Sequence, residues 1–239
     1  RRFFIERGHP KQHYDAGVNT VPLITAVKFG IPLVFYAEHG ESEYGGHVID
    51  EESRRTRNLT EVLEHQVGDD PRNWATDGIT EADLAPYLYP SREDIERVGV
   101  KIYYFSYFHR WDVTENAEFA RKTFGFEGVQ PRTDGSFENR DSIDDKIDGL
   151  DFFMMRIKFL FGRSIRMASR MIQNGHLTRQ EGLEWVRKYD HEFPEMYLAD
   201  VLEYLDMSLS ELMDVVDKHR NPELWMKDGP LWRPRFEPT

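Results

Sequence analysis

Apolar residues recur at helical spacing over residues 17 to 29, at Val18, Val21, Leu23, Ile24, Val27 and Phe29, and the run stops at Gly30, a residue suited to ending a helix. The next six residues, Ile31-Pro-Leu-Val-Phe-Tyr36, are mostly apolar, branched or aromatic, which reads as a buried strand. From residue 53 to 97 the pattern turns polar and broken. It predicts an inserted set of short helices, with starts at Thr80-Glu-Ala-Asp83 and Ser91-Arg-Glu-Asp94, where a side-chain oxygen can cap free N–H groups. Residues 100–108, dense in aromatics and preceded by Gly99, predict a second strand.

After a helical stretch over 114–124, residues 125–141 are rich in glycine and charge and predict a long loop. The pattern is then helical to about residue 219, in segments 143–161, 163–174, 178–189, 194–205 and 208–219. Thr178-Arg-Gln-Glu181 and Ser208-Leu-Ser-Glu211 match the capping box, in which hydroxyl and carboxylate each satisfy a backbone donor. The last stretch carries Pro222, Pro230, Pro234 and Pro238 and is expected to lie extended on a surface. Three parts are therefore expected: an α/β part over 1–141 with a helical insertion near 53–97, a helical region over 142–219, and a tail over 220–239. The opening residues Arg1-Arg-Phe-Phe-Ile already read as the inside of an element, so the chain is expected to be a fragment of a longer one.

Composition narrows the classes. The net charge of −12 argues against a general nucleic-acid binder, which carries a basic balance. No apolar run approaches the roughly 18 residues of a membrane span; the longest candidate, 150–161, is interrupted by Asp151, Arg156 and Lys158. There is no cysteine, hence no disulfide and no thiolate metal site, and a cytoplasmic setting is expected. The histidines show no tight metal-ligand spacing, and no nucleophile elbow, Walker loop or dinucleotide fingerprint occurs.

Two segments carry candidate chemistry. The first is Tyr36-Ala-Glu-His-Gly-Glu-Ser-Glu-Tyr-Gly-Gly-His47, just past the first strand, where open α/β sheets place their ligands. Glu38 and Glu41 could hold Mg²⁺ or position an attacking amine, and the glycine pair allows close approach of the backbone; a polar turn with solvated acids is the other reading. The second runs from Asp144 to Arg163. Lys158 stands among Met154, Met155, Ile157, Phe159, Leu160 and Phe161, where a charge needs a partner such as a phosphate or must snorkel to water. Arg156, Arg163, Arg166 and Arg170 would share one face if a helix runs through Gly162, to take phosphate or to pair with the chain's own carboxylates.

Glu38-His-Gly-Glu-Ser-Glu-Tyr-Gly-Gly-His47 resembles the Glu-Gly-Ala/Ser-Asp-Glu-x-Phe-Gly-Gly-Tyr loop of asparagine synthetases, members of the PP-loop ATP pyrophosphatase superfamily. His39, Glu41 and Ser42 stand in place of glycine, aspartate and glutamate. Across almost its whole length the chain resembles the C-terminal part of the N-acetyl sugar amidotransferases of surface-polysaccharide and nonulosonic acid biosynthesis. The segments that carry this are Lys28-Phe-Gly-Ile-Pro-Leu-Val-Phe-Tyr36 with Glu43-Tyr-Gly-Gly46, Asp145-Lys-Ile-Asp-Gly-Leu-Asp151, Ile157-Lys-Phe159, Phe161-Gly-Arg163, Asn174-Gly-His-Leu-Thr-Arg179, and Tyr189-Asp190 with Glu192-Phe-Pro194.

The resemblance implies an α/β fold, part of a parallel-sheet PP-loop domain of the adenine nucleotide alpha hydrolase-like kind, followed by a mainly α-helical C-terminal region. It implies an enzyme that uses ATP and Mg²⁺ to convert an acetamido group of an N-acetyl sugar, free or nucleotide-linked, to acetamidino. The acetamido oxygen is adenylylated with release of pyrophosphate, and ammonia from a glutaminase partner displaces AMP. Glu38 would guide ammonia and Glu41 hold the metal. Lys146 and Lys158 would stabilise phosphate charge, and Tyr44, Gly45, Gly46, Asp145 and Arg163 would bind ATP or substrate. The Ser-Gly-Gly-x-Asp-Ser phosphate loop of the superfamily does not occur in these residues, so this chain alone is expected to be inactive. The competing expectation is a non-catalytic helical module that docks a glutaminase or a glycan-assembly partner.

Overall fold

A computed structural model describes residues 1–37, 39–40, 50–57, 69–76 and 78–238. As far as residue 111 the elements are α1 (Arg2–Arg7), α2 (Gln12–Phe29), β1 (Leu33–Tyr36), α3 (Glu51–Arg55), α4 (Glu81–Leu84), α5 (Arg92–Val98), β2 (Lys101–Tyr104) and α6 (Phe105–Phe108), with 3₁₀ turns at Pro71–Trp74 and Ala85–Tyr87. Then follow α7 (Val113–Phe124), α8 (Asp148–Phe159), α9 (Arg163–Gln173), α10 (Arg179–Tyr189), α11 (Leu198–Leu205), α12 (Leu209–Lys218), β3 (Trp225–Asp228) and β4 (Leu231–Pro234). Two compact units result, one of residues 12–111 and one of residues 1–11 with 112–239. The division falls at 111/112 instead of at 141, and the first eleven residues belong with the helical part.

In the 12–111 unit, β1 and β2 pair in parallel, with Leu33 opposite Lys101 and Tyr36 opposite Tyr104. Parallel neighbours cannot be joined by a tight turn, and the connection between them carries α3, α4 and α5, with Ser91 capping α5 at Asp94 N as the sequence predicts. The second strand is shorter than expected, because the chain turns into α6 at Phe105. Helix α2 starts at Gln12, earlier than its apolar pattern, and buries Ala16, Asn19, Thr20, Leu23 and Ala26. Pro22 lies inside α2 and has no N–H to bond the carbonyl four residues back. That carbonyl is Val18 O, and the Tyr36 hydroxyl reaches it at 3.2 Å and Asn19 O at 3.1 Å. The end of β1 is thus tied to the gap that the proline leaves.

The other unit is built on α8. Leu150, Met154 and Ile157, at offsets of four and three, fall on one face and are almost fully buried against Phe4, Val201, Leu205, Leu212, Val215, Val216 and Trp225. Burial of each such side chain stabilises the fold by about 1.5–3 kcal/mol. Helices α9 and α10 pack closely, and a Cβ placed on Gly182 would lie 2.7 Å from Ile172 Cδ1. Thr178 and Ser208 form the capping boxes of α10 and α12 with Glu181 and Glu211. The tail is an antiparallel hairpin, Trp225 opposite Pro234, where an extended strap is expected from its prolines.

Helix α8 spans 148–159, shorter at both ends than 143–161. Asp145 Oδ1 accepts from Ile147 N at 2.7 Å and makes a turn ahead of the helix, as an aspartate can by substituting for a helical acceptor. At the far end Leu160 takes φ 64° and Gly162 is extended, so no helix runs through Gly162. The expected arginine face across Arg156, Arg163, Arg166 and Arg170 does not form as one surface.

Candidate functional site

The carboxyl ends of β1 and β2 are the place where a parallel sheet positions ligands. Tyr36 and Tyr104 end the two strands with ring centroids 6.5 Å apart, and residues 56–57 run along β2 on its other side, Arg57 N bonding Ile102 O at 3.2 Å. The Arg57 side chain is buried. Its guanidinium carbon lies 4.1 Å from the Tyr36 ring centroid, and it donates to Asn19 Oδ1. His39, also buried, meets Tyr104 at 4.2 Å between centroids, and its Nε2 lies 2.8 Å from Ser53 O. The Tyr89 hydroxyl is buried with no hydrogen-bond partner among the described residues. Burial pushes the Tyr89 phenol up, against the opposing pull of Arg57. The predicted site residues Glu38, Glu41, Tyr44, Gly45 and Gly46 of the acidic segment that follows β1 in the sequence lie outside the described residues.

The remaining predicted site residues fall in the helical unit, and each has an internal partner. Asp145 pairs with Lys11 Nζ at 2.8 Å, and Lys11 also contacts Asp148. Burial alone would lower the Lys11 ammonium, but the hydrogen bonds it donates to both carboxylates hold it above its ordinary value. Lys146 is exposed and pairs with Asp200, which raises it. Lys158 donates to Arg7 O at 3.0 Å; burial lowers it, with Asp151 opposing. Arg163 pairs with Asp141 at 2.9 Å and lies 4.5 Å over the Phe152 ring. Asp145 and Lys146 precede α8 and Lys158 is near its end, and a helix of that length separates them by about 18 Å. Lys146 and Lys158 do not converge.

The fold assembles groups that sequence spacing does not show. Asp190, almost fully buried, accepts from Arg156 Nη1 at 2.9 Å, Gly162 N at 3.0 Å and Ile165 N at 3.1 Å. It therefore caps α9 from a distance. Glu192 takes both Arg132 nitrogens, at 2.6 and 2.8 Å, and Gly135 N at 2.9 Å, which anchors the loop before α8. Asp112, Glu115 and His176 bring three possible ligand atoms within 4.8 Å of one another, across 64 residues between Asp112 and His176. Asp190 and Glu192 do lie in the resembling segment, whereas Arg57 has no motif around it.

Comparison with known proteins bears on the helical unit. Residues 131–236 match a family model described as LPS biosynthesis protein WbpG-like, C-terminal domain. That segment is therefore similar to a domain of lipopolysaccharide biosynthesis proteins. The matched segment takes in everything from Arg132 through β4, including the Asp190 and Glu192 anchors. No curated protein matches the chain. No helix among the described residues is long and apolar enough to cross a membrane.

Proposed function

We propose that the chain is part of an ATP-dependent amidotransferase that turns an acetamido group of an N-acetyl sugar into acetamidino, with ammonia from a glutaminase partner, in lipopolysaccharide biosynthesis. The observation that carries the reading is the match of residues 131–236 to the WbpG-like C-terminal domain. A parallel β1–β2 pair whose first strand is followed in the sequence by an acidic, glycine-bearing stretch supports a nucleotide site on such a sheet. Glu41 would hold Mg²⁺ and Glu38 would guide ammonia. The Tyr89 hydroxyl, buried and without a hydrogen-bond partner among the described residues, fits a polar ligand group. Lys146 and Lys158, at opposite ends of α8 and each engaged within the chain, do not fit one phosphate cradle.

The test is pyrophosphate release by the full gene product from ATP and Mg²⁺, supplied with a nucleotide-linked N-acetyl sugar and either ammonia or a glutaminase. Release that needs both sugar and nitrogen source, and that Glu38→Ala or Glu41→Ala abolishes, supports the reading; no release above background overturns it. A second reading is favoured by the internal pairing of Lys146, Lys158 and Arg163. In it the helical unit is an interaction module, and pull-down of a glutaminase without any affinity for ATP would mark that outcome.

A further inference from the structure

Helices α8, α10 and α12, the β3–β4 hairpin and residues 237–238 enclose a groove of about 660 Å³ in the helical unit, within the range of small-molecule sites. One wall is apolar, with Ile157, Val186, Met213, Leu231 and Trp225 along it. The polar lining holds Arg156, Arg187, His191 and Arg220 together with the carboxylates of Asp217 and Glu237, and Arg156 is paired with Asp190. Arg220 is fixed inside by Asp217 at 3.1 Å and by the rings of Trp225 and Trp232, whose centroids lie 4.8 and 5.1 Å from its guanidinium carbon. The Trp232 indole N–H also donates to Asp217, at 3.1 Å, so the Asp217 charge is spent within the wall.

Arg187 differs from these. It is exposed at the groove, and its guanidinium donates to Pro238 O at 3.3 Å; no carboxylate among the described residues pairs with it, Glu237 of the same lining included. His191 lines the same groove, exposed. In a chain of net charge −12, an apolar wall facing a cation without an acidic partner is complementary to a ligand with one hydrocarbon face and one anionic group. A pyranose has such a C–H face, and a carboxylate or phosphate on it supplies the charge. Guanidinium groups suit both acids. The choice of a sugar among anions of that shape rests on the proposed part in lipopolysaccharide biosynthesis.

We propose that this groove binds the pyranose ring of an anionic sugar, with Arg187 and His191 on its acid group and the Ile157–Leu231 wall against its C–H face. The groove belongs to the helical unit and the β1–β2 pair to the other, and the proposal does not depend on the ATP reading. The experiment is calorimetric titration of the full chain with D-glucuronate, N-acetyl-D-glucosamine 1-phosphate and neutral N-acetyl-D-glucosamine, with acetate and inorganic phosphate as sugar-free anions. One or both sugar acids should bind at least about tenfold tighter than the neutral sugar and than the matching free anion, and Arg187→Ala should remove that preference, as loss of a charge-assisted hydrogen bond implies. The stronger arm tells carboxylate from phosphate. Arg187→Lys should restore part of the preference, and Glu38→Ala and Glu41→Ala should leave binding unchanged whether or not the chain turns over ATP. Equal binding of acid and neutral sugars, free anions binding as tightly as sugar acids, no binding up to about 10 mM, or an unchanged Arg187→Ala variant would overturn the proposal.

Discussion

Arg156 and Asp190 pair at 2.9 Å across 34 residues, with side chains 12% and 1% exposed. The pair joins α8 to the end of α10 and, through Gly162 N and Ile165 N, to the start of α9. Three helices therefore meet at one carboxylate. Removing one partner of a buried pair leaves a charge without compensation, at a cost of about 3–5 kcal/mol. Asp190→Ala is expected to lose stability in that range, and Asp190→Asn less, because the amide oxygen still accepts from the α9 N–H groups. Urea midpoints of the three proteins measure this; an Asp190→Ala loss under about 1 kcal/mol would remove the carboxylate from the centre of the fold.

Gly162 has an extended backbone that any residue could adopt, so conformational freedom does not account for a glycine there. Close approach does: a Cβ would lie 3.0 Å from Asp190 Oδ1 and 3.2 Å from Asp190 O. Asp190 is held by three hydrogen bonds and has little room to yield. Gly162→Ala should cost about 1–3 kcal/mol, the range of overpacking in a filled interior, and Gly162→Ala combined with Asp190→Ala should cost less than the sum of the two changes. Simple additivity in a denaturation cycle would refute the steric link.

The legible parts of this fold were those with local causes. The capping boxes at Thr178 and Ser208 work within four residues, and the helix and strand before the acidic loop show in periodicity alone. The helix break at Leu160 and Gly162 was not visible, since the apolar run 157–161 continues the α8 pattern and Leu160 takes a left-handed conformation that its type disfavours. Nor could Lys158 be told from a ligand-binding lysine, because its partner is a main-chain oxygen 151 residues away. Arg57 is polar sequence in a polar stretch, and only the crossover that lays it beside β2 buries it. The acidic loop was the strongest sequence signal for chemistry, and it bears on the proposed activity through sequence alone.

Lys158 has a structural task that can be separated from phosphate chemistry. Helix α1 ends with carbonyls that no residue of the helix can satisfy; Lys158 reaches Arg7 O at 3.0 Å, while Lys218 Nζ and His219 Nε2 reach Ile5 O at 2.9 and 3.0 Å. Cations at a helix C-terminus also meet the negative end of its dipole. Lys158→Met should lower stability by about 0.5–1.5 kcal/mol and leave ATP affinity of the full gene product as it was. A fall in affinity at unchanged stability would return Lys158 to the nucleotide site.

Acid should act on the start of α7. Asp112, 1% exposed as a residue, accepts from Thr114 N at 3.0 Å and Glu115 N at 3.2 Å and contacts His176 Nε2 at 2.8 Å. Burial pushes its carboxyl up, but the His176 contact and the two backbone donors outweigh this and hold it below its ordinary value of 3.8. A carboxyl depressed in the folded state stabilises the protein above its unfolded pKa, and that contribution is lost as pH falls through the folded value. The loss therefore belongs below about pH 4. Asparagine caps a helix about as well as aspartate, so Asp112→Asn keeps the cap and removes the charge. The variant should be less stable than the parent from pH 5 to 7, and the gap in urea midpoint should close as pH drops below about 4. A gap that stays constant from pH 7 to 3 would show that the Asp112 charge contributes nothing to the fold.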